Sequence, residues 1–116
     1  VGKINSRTKG KRGELEAAKR LNELFGTDCR RGQQYSGGNG DADVVGLPGV
    51  HLEIKRVQKL NIENAVEQAV SDAKGDAVPV VMHRRDHGEW LITVKLDDLS
   101  RLSWAVVELQ GLGEGE

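Results

Sequence analysis

The sequence predicts an α+β domain, a mixed β-sheet with helices packed against it. Three observations carry that expectation. Apolar residues recur at helical spacing in three separate stretches. Between them lie short segments in which apolar residues alternate with polar ones or run together. Glycine, proline and asparagine punctuate the changes of period. With 116 residues the chain is long enough for one core and too short for two. Residues 1–116 are therefore expected to form a single domain, with a basic arm over 1–8 and a frayed Gly/Glu tail over 111–116.

Lys9 to Phe25 reads as the first helix, closed by Gly26 as its C-cap. Its apolar stripe is Ala18, Leu21 and Phe25, with Ala17 and Leu24 beside it. Glu14 lies four residues before Ala18 and seven before Leu21, so a carboxylate continues the core-facing stripe. Burying an unpaired carboxylate is expensive, and Glu14 needs a cation, a hydrogen-bond partner or a wet cleft. Cys29 to Gln34 is read as a short strand, and Tyr35 to Gly40 as a glycine-rich loop. Asp43 to Leu47 is a short apolar strand that Gly46 and Pro48–Gly49 turn out of. Val50 to Val57 alternates: Val50, Leu52 and Ile54 face one side, and His51, Glu53 and Lys55 the other.

Asn61 is the expected N-cap of a second helix, whose stripe runs through Ile62, Ala65, Val66, Ala69, Val70 and Ala73 before Gly75. Val78 to Met82 is an unbroken apolar run and reads as a buried strand. Arg84 to Glu89 forms a polar turn, with His83 and His87 flanking it and facing solvent, and Trp90 to Val94 returns as a strand. The last helix spans Asp97 to Gln110 on a stripe of Leu99, Leu102, Val106 and Leu109. The element order is thus α-β-β-β-α-β-β-α.

Composition narrows the function. No apolar run approaches the roughly 20 residues that span a bilayer, and the polar, basic N-terminal stretch has no secretory h-region. The expectation is an intracellular protein, in the cytoplasm or on the nucleoid. The single Cys29 has no partner for an intramolecular disulfide and reads as a small, partly buried hydrophobe. The formal net charge of −1 hides a strong polarity. Residues 1–35 hold nine Lys/Arg against four acids, a net of +5, whereas residues 61–116 hold five against eleven, a net of −6. One end therefore suits an anionic polymer.

Chemistry gathers around Asp43 and Glu53–Ile54–Lys55. Glu53 and Lys55, two apart on one strand, project from the same face about 7 Å apart. A turn links this strand to the one that Asp43 opens, so the two strands are expected to pair and bring Asp43 to the same site. Two carboxylates hold Mg²⁺, a cation that prefers hard oxygens and keeps several waters. The backbone carbonyl of Ile54 is a further candidate ligand. A lysine beside them orients the attacking water or balances the charge that develops on phosphorus. An E-x-K on its own is most often a solvated strand face. The signal is the combination of a stripe-facing glutamate, then D-x₉-E-x-K on two short strands, then an amphipathic helix.

Taken together, Lys9–Gly10 with Glu14, the Ser36–Gly37–Gly38 loop, Asp43–Val44–Val45 and Glu53–Ile54–Lys55 resemble the archaeal-type Holliday junction resolvases of the PD-(D/E)xK nuclease superfamily. The resemblance extends from about Lys9 to Val94. It implies a restriction-endonuclease-like αβββαβ core and a metal-dependent DNA endonuclease that uses Mg²⁺, with Mn²⁺ as a substitute. It implies further that Asp43 and Glu53 hold the metal, that Lys55 is the catalytic lysine, and that Glu14 supports the site. Gln68, on the helix after Lys55, falls where superfamily members place a polar residue facing the site. Ser36 matches a loop serine near the DNA, and Arg30 or Arg31 a DNA-contacting arginine. Lys9, Lys11 and Arg12 add phosphate contacts. The family's members are homodimers that cut two symmetric strands of a four-way junction.

Restriction enzymes, repair nucleases and phage nucleases share the core. A repair, restriction-like or phage DNA-processing nuclease is accordingly the alternative, and a DNA-binding module without activity a second one. Several nearby residues have simpler readings. His51 reads as a strand-end residue, Asp41 as turn chemistry, and Arg84 and Arg85 as either DNA contacts or a solvated turn. On the last helix Trp104 and Val107 fall outside the stripe, which marks a candidate homodimer surface.

Overall fold

The structure, a computed structural model, describes residues 6–33 and 42–111, with the side chains of 6–9 excepted. The glycine-rich loop with Ser36, Asp41, the side chain of Lys9 and the tail after Gly111 lie outside the described residues.

Helix α1 spans Ser6–Phe25. It begins earlier than its stripe suggested, because its first turns are polar and leave no apolar period to read. Ala17, Ala18 and Leu21 are buried as expected, whereas Leu24 is exposed. Gly26 follows in the left-handed region at φ 65°, a conformation glycine adopts without penalty. Strands β1 (Arg30–Arg31) and β2 (Val44–Val45) are each only two residues long, much shorter than the readings over 29–34 and 43–47. β3 (Val50–Arg56) is close to its expected bounds. Helix α2 (Ile62–Asp72) is capped by Asn61, whose side-chain oxygen accepts from the Asn64 N–H at 3.1 Å.

β4 (Val78–Arg84) runs two residues past the apolar stretch, and β5 (Leu91–Val94) returns from the turn. Of the two histidines at that turn, His87 is exposed, but the half-buried His83 shares a 2.9 Å hydrogen bond with the Thr93 hydroxyl. A 3-10 turn at Leu96–Asp98 leads into α3 (Leu99–Leu109). The α3 stripe is covered except at its start, and Leu109 at its end is half-buried. Leu102 is buried and Val106 packs on the core, while Leu99 at the first helical position is exposed. Val107, expected outside, is half-buried; Trp104 is 66% exposed.

The five strands lie in the order β1-β2-β3-β4-β5, antiparallel except for the β3–β4 pair. A parallel pair needs a crossover, and α2 supplies it. This is the mixed sheet flanked by helices of a restriction-endonuclease-like fold. Alternation sorts the two faces. Leu52, Ile54, Val80 and Met82 join Ala17, Ala18, Leu21 and Leu102 in one core, on the α1 side. Val81 packs with Ala65 and Ala69 of α2 on the other. Among the described residues no helix is long and apolar enough to cross a membrane.

Two devices hold the short strands against the rest. Asn22 of α1 grips Cys29 from both sides: its carbonyl accepts the Cys29 N–H at 2.6 Å and its amide donates to the Cys29 carbonyl at 3.0 Å. Cys29 itself is buried and free, the small hydrophobe expected. Gly46 leaves β2 at φ 107°, and a Cβ there would stand 2.6 Å from the Asp28 carbonyl oxygen and 2.8 Å from the Cys29 Cα. Only glycine lets the two backbones approach so closely. Gly46→Ala is expected to destabilise the fold by about 2–4 kcal/mol. Gly26→Ala, with nothing within 4 Å of its Cβ, should lose only about 1 kcal/mol. Urea denaturation of the two variants compares them, and equal losses would remove this account of β1–β2 docking.

Candidate active site

The site starts from a pairing register. Val44 stands opposite Leu52, with both side chains in the core. One residue further along, Asp43 comes opposite Glu53, and the pleat turns both toward the other face of the sheet. Asp43 is tied to β3 twice. Its N–H donates to the Leu52 carbonyl at 3.0 Å, and its Oδ2 accepts the Ile54 N–H at 2.8 Å. Neither tie depends on a long strand, so a two-residue β2 still places a carboxylate accurately.

Two carboxylates so placed cannot both ionise freely. Burial pushes Asp43 up to about 7, and the negative charge of Glu53 adds to the rise; the Ile54 N–H opposes it, and the charge of Glu14 contributes further. Glu53, only 4% exposed, goes the other way. Burial works against its ionisation, but hydrogen bonds from His51 and Asp43, with the charges of His51 and Lys55, outweigh it and hold the carboxyl below its ordinary value. The pair is thus an acid beside a carboxylate near neutrality, an arrangement a divalent cation relieves by replacing the proton.

The remaining residues fall around this pair. Lys55 extends from the same face of β3 and donates to the Gln68 side-chain oxygen of α2 at 3.4 Å, so the two residues singled out in sequence do meet. Glu14 has the cation its position required: Arg31 donates to its Oε1 at 2.8 Å, across from α1 to β1. Arg30, by contrast, is exposed, its guanidinium resting at 3.3 Å on the Asp28 carbonyl. Lys11 and Arg12 are exposed on α1. Ile54 meets Asp43 through its N–H. The sequence reading of His51 as a strand-end residue missed its partner. His51 is 7% exposed and lies 2.8 Å from the Glu53 Oε1. The available signal was its position two before Glu53 on one strand face.

The donor set suits a hard cation. Among the described residues no three His, Cys, Asp or Glu side chains converge as metal ligands; the carboxylates that meet are those of Asp43 and Glu53. Carboxylate oxygens are the donors that hard divalent cations accept.

The raised Asp43 has a consequence for the metal-free fold. A carboxyl whose proton is held more tightly when folded favours the fold below its ordinary value of 3.8; that advantage is lost as pH rises through about 7. The loss amounts to at most about 4 kcal/mol over that window. Asp43→Asn cannot ionise, and metal-free Asp43→Asn is expected to be more stable than the natural chain at pH 8 but not at pH 4. Urea midpoints in chelator at both values test this; the same wild-type-to-variant difference at the two pH values would contradict the reading of Asp43.

Comparison with known proteins places the chain. A family model described as "Phage putative PDDEXK endonuclease" matches residues 5–108. No curated protein and no solved structure matches the chain. The matched span runs from the start of α1 almost to the end of α3 and includes Asp43, Glu53 and Lys55. The chain belongs to this phage-type family of PD-(D/E)xK endonucleases.

Proposed function

We propose that the chain is a Mg²⁺-dependent, structure-selective DNA endonuclease whose leading substrate is a four-way junction. The observation that carries the nuclease reading is the Asp43–Glu53 pair across β2–β3, with Lys55 two residues along the same face. Nucleases of the PD-(D/E)xK type generally use divalent metals, and DNA is the substrate the family implies.

Asp43 and Glu53 would hold the metal, with the Ile54 carbonyl as a further ligand. Bound there, Mg²⁺ or Mn²⁺ supplies charge to polarise the scissile phosphate and lowers the pKa of coordinated water. The protein's own part is positional. The Ile54 N–H orients Asp43, and Gln68 steers the Lys55 ammonium. Lys55 then orients the attacking water or balances the charge that develops on phosphorus. Glu14, held by Arg31, supports the site by adding negative charge near Asp43.

Lys11, Arg12 and Arg30 are exposed cations suited to phosphate contacts, and Arg31 is partly exposed beside Glu14. Lys9 and Ser36 complete the proposed DNA-binding set. Binding carried by such contacts weakens steeply with salt. Junction preference is supported by the likeness to junction resolvases in Lys9–Gly10, Glu14, Ser36–Gly37–Gly38 and Glu53–Ile54–Lys55. The family's phage character favours, as a second reading, a phage DNA-processing nuclease with the same chemistry and another substrate. In either case it acts inside the cell, where that DNA lies.

A homodimer would suit paired cuts. Its proposed surface is the outer side of α3, where Trp104 is 66% exposed; Leu91, Ile92 and Leu96 on and beside the edge strand β5 are exposed as well.

Cleavage of a labelled four-way junction is to be compared with cleavage of linear duplex of the same sequence, in Mg²⁺, for the natural chain and Asp43→Asn. The expected result is paired symmetric nicks on the junction alone, slowed at least about 100-fold in the variant. Equal cutting of both substrates would retain the site and discard the junction preference, and cutting indifferent to the substitution would discard the site. Sedimentation equilibrium is expected to show a dimer that Trp104→Glu shifts toward monomer. A natural chain monomeric at tens of micromolar would remove the dimer.

A further inference from the structure

His51 is a buried polar side chain that the nuclease chemistry described above does not use. It sits on the same face of β3 as Glu53 and Lys55, so the strand presents donor, carboxylate, donor at successive outward positions. The side chains of His51 and Glu53 are 8% and 6% exposed, and the ring nitrogen Nε2 lies 2.8 Å from Oε1. Its cross-strand neighbours give it no other side chain to bond: Pro79 is its partner on β4, and the β2 register brings Val45 opposite. With Glu53 ionised, the Nε2–H donates, and a neutral ring suffices for this.

We propose that His51 is a positioning residue: it holds Oε1 of Glu53 in one place, so that Oε2 is presented beside Asp43 to the divalent cation. The inference rests on the metal-site reading above and adds to it a determinant of metal affinity. A glutamate has three side-chain torsions, and a buried one without a fixed partner would have to be ordered by the metal itself. The hydrogen bond supplies that order beforehand. Partners that orient a ligating group in this way typically change metal affinity by about 10–100-fold when lost.

A histidine that merely satisfied its own burial would stabilise the fold and leave metal affinity alone. Reach separates the two roles. His51→Gln places an amide N–H near the Nε2 position, whereas His51→Asn, equally polar, stops short of Oε1. The test is calorimetric titration of the full chain with Mn²⁺ in the absence of DNA, together with the Mg²⁺ concentration that half-saturates cleavage.

His51→Asn is expected to weaken Mn²⁺ binding about 10–100-fold and to raise the half-saturating Mg²⁺ by the same factor. The rate at saturating metal should change far less, and His51→Gln should recover most of the affinity. Equal Mn²⁺ affinity in the two folded variants, whether both tight or both weak, would overturn the proposal. Asp43→Asn separates this failure from failure of the site itself. If Asp43→Asn binds Mn²⁺ as the natural chain does, the metal site is misread. If it does not bind while His51→Asn binds as tightly as His51→Gln, only the role of His51 falls.

Discussion

Much of this structure answers to one unfavourable contact, the proximity of Asp43 and Glu53. Two carboxylates on adjacent strands, one of them almost wholly buried, repel each other and lose hydration together. The fold tolerates them because three neighbouring groups offset the cost. The Ile54 N–H meets Asp43, His51 meets Glu53, and Lys55 contributes its charge from the same strand. Burial and the charge of Glu53 together raise Asp43 to about 7. The same repulsion is what a divalent cation bound between the two carboxylates would relieve.

The scaffold around the pair divides its labour by face. On the α1 side, Leu52, Ile54, Val80 and Met82 form a continuous apolar core that fixes the sheet. On the α2 side, packing is confined to Ala65, Ala69 and Val81 with a few partly buried neighbours, which leaves the rest of that face for polar side chains. Small alanines let α2 sit close enough for Gln68 to reach Lys55. A further clamp acts at the C-terminal end of β3, where Arg56 lies 3.4 Å from Glu16 of α1 and 3.5 Å from Asp86 in the β4–β5 turn.

Features governed by local periodicity were legible in the sequence. The alternation of Val50 to Val57, the Asn61 cap and the α2 stripe each depend on neighbours a few residues away, and the structure reproduces them except at the end of the stripe, where Val70 is exposed and Ala73 is the C-cap. The order of the elements followed from the same signals. Strands β1 and β2 were overestimated, because strand length is set by the partner's register and not by the apolar run. The Arg31–Glu14 pair spans seventeen residues, and no periodicity relates its members. The sequence said only that Glu14 needed a partner. His51 was missed for a related reason. A histidine at the start of a strand has a plain reading of its own, and only three-dimensional burial shows that its partner is the carboxylate two residues on.

From Asp43 to Gln68 the chain carries nearly every group placed in the site: both carboxylates, the lysine, the histidine and the glutamine. These groups sit on one strand, its short neighbour and the crossover helix that follows, joined by contacts close in sequence. Chemistry written into so short a segment is insulated from change elsewhere. The turn between β4 and β5, the exposed edge of the sheet and the outer side of α3 can drift, lengthen or acquire new partners while the groups of the proposed site stay as they are. Such an arrangement separates the evolution of substrate choice from the evolution of the reaction.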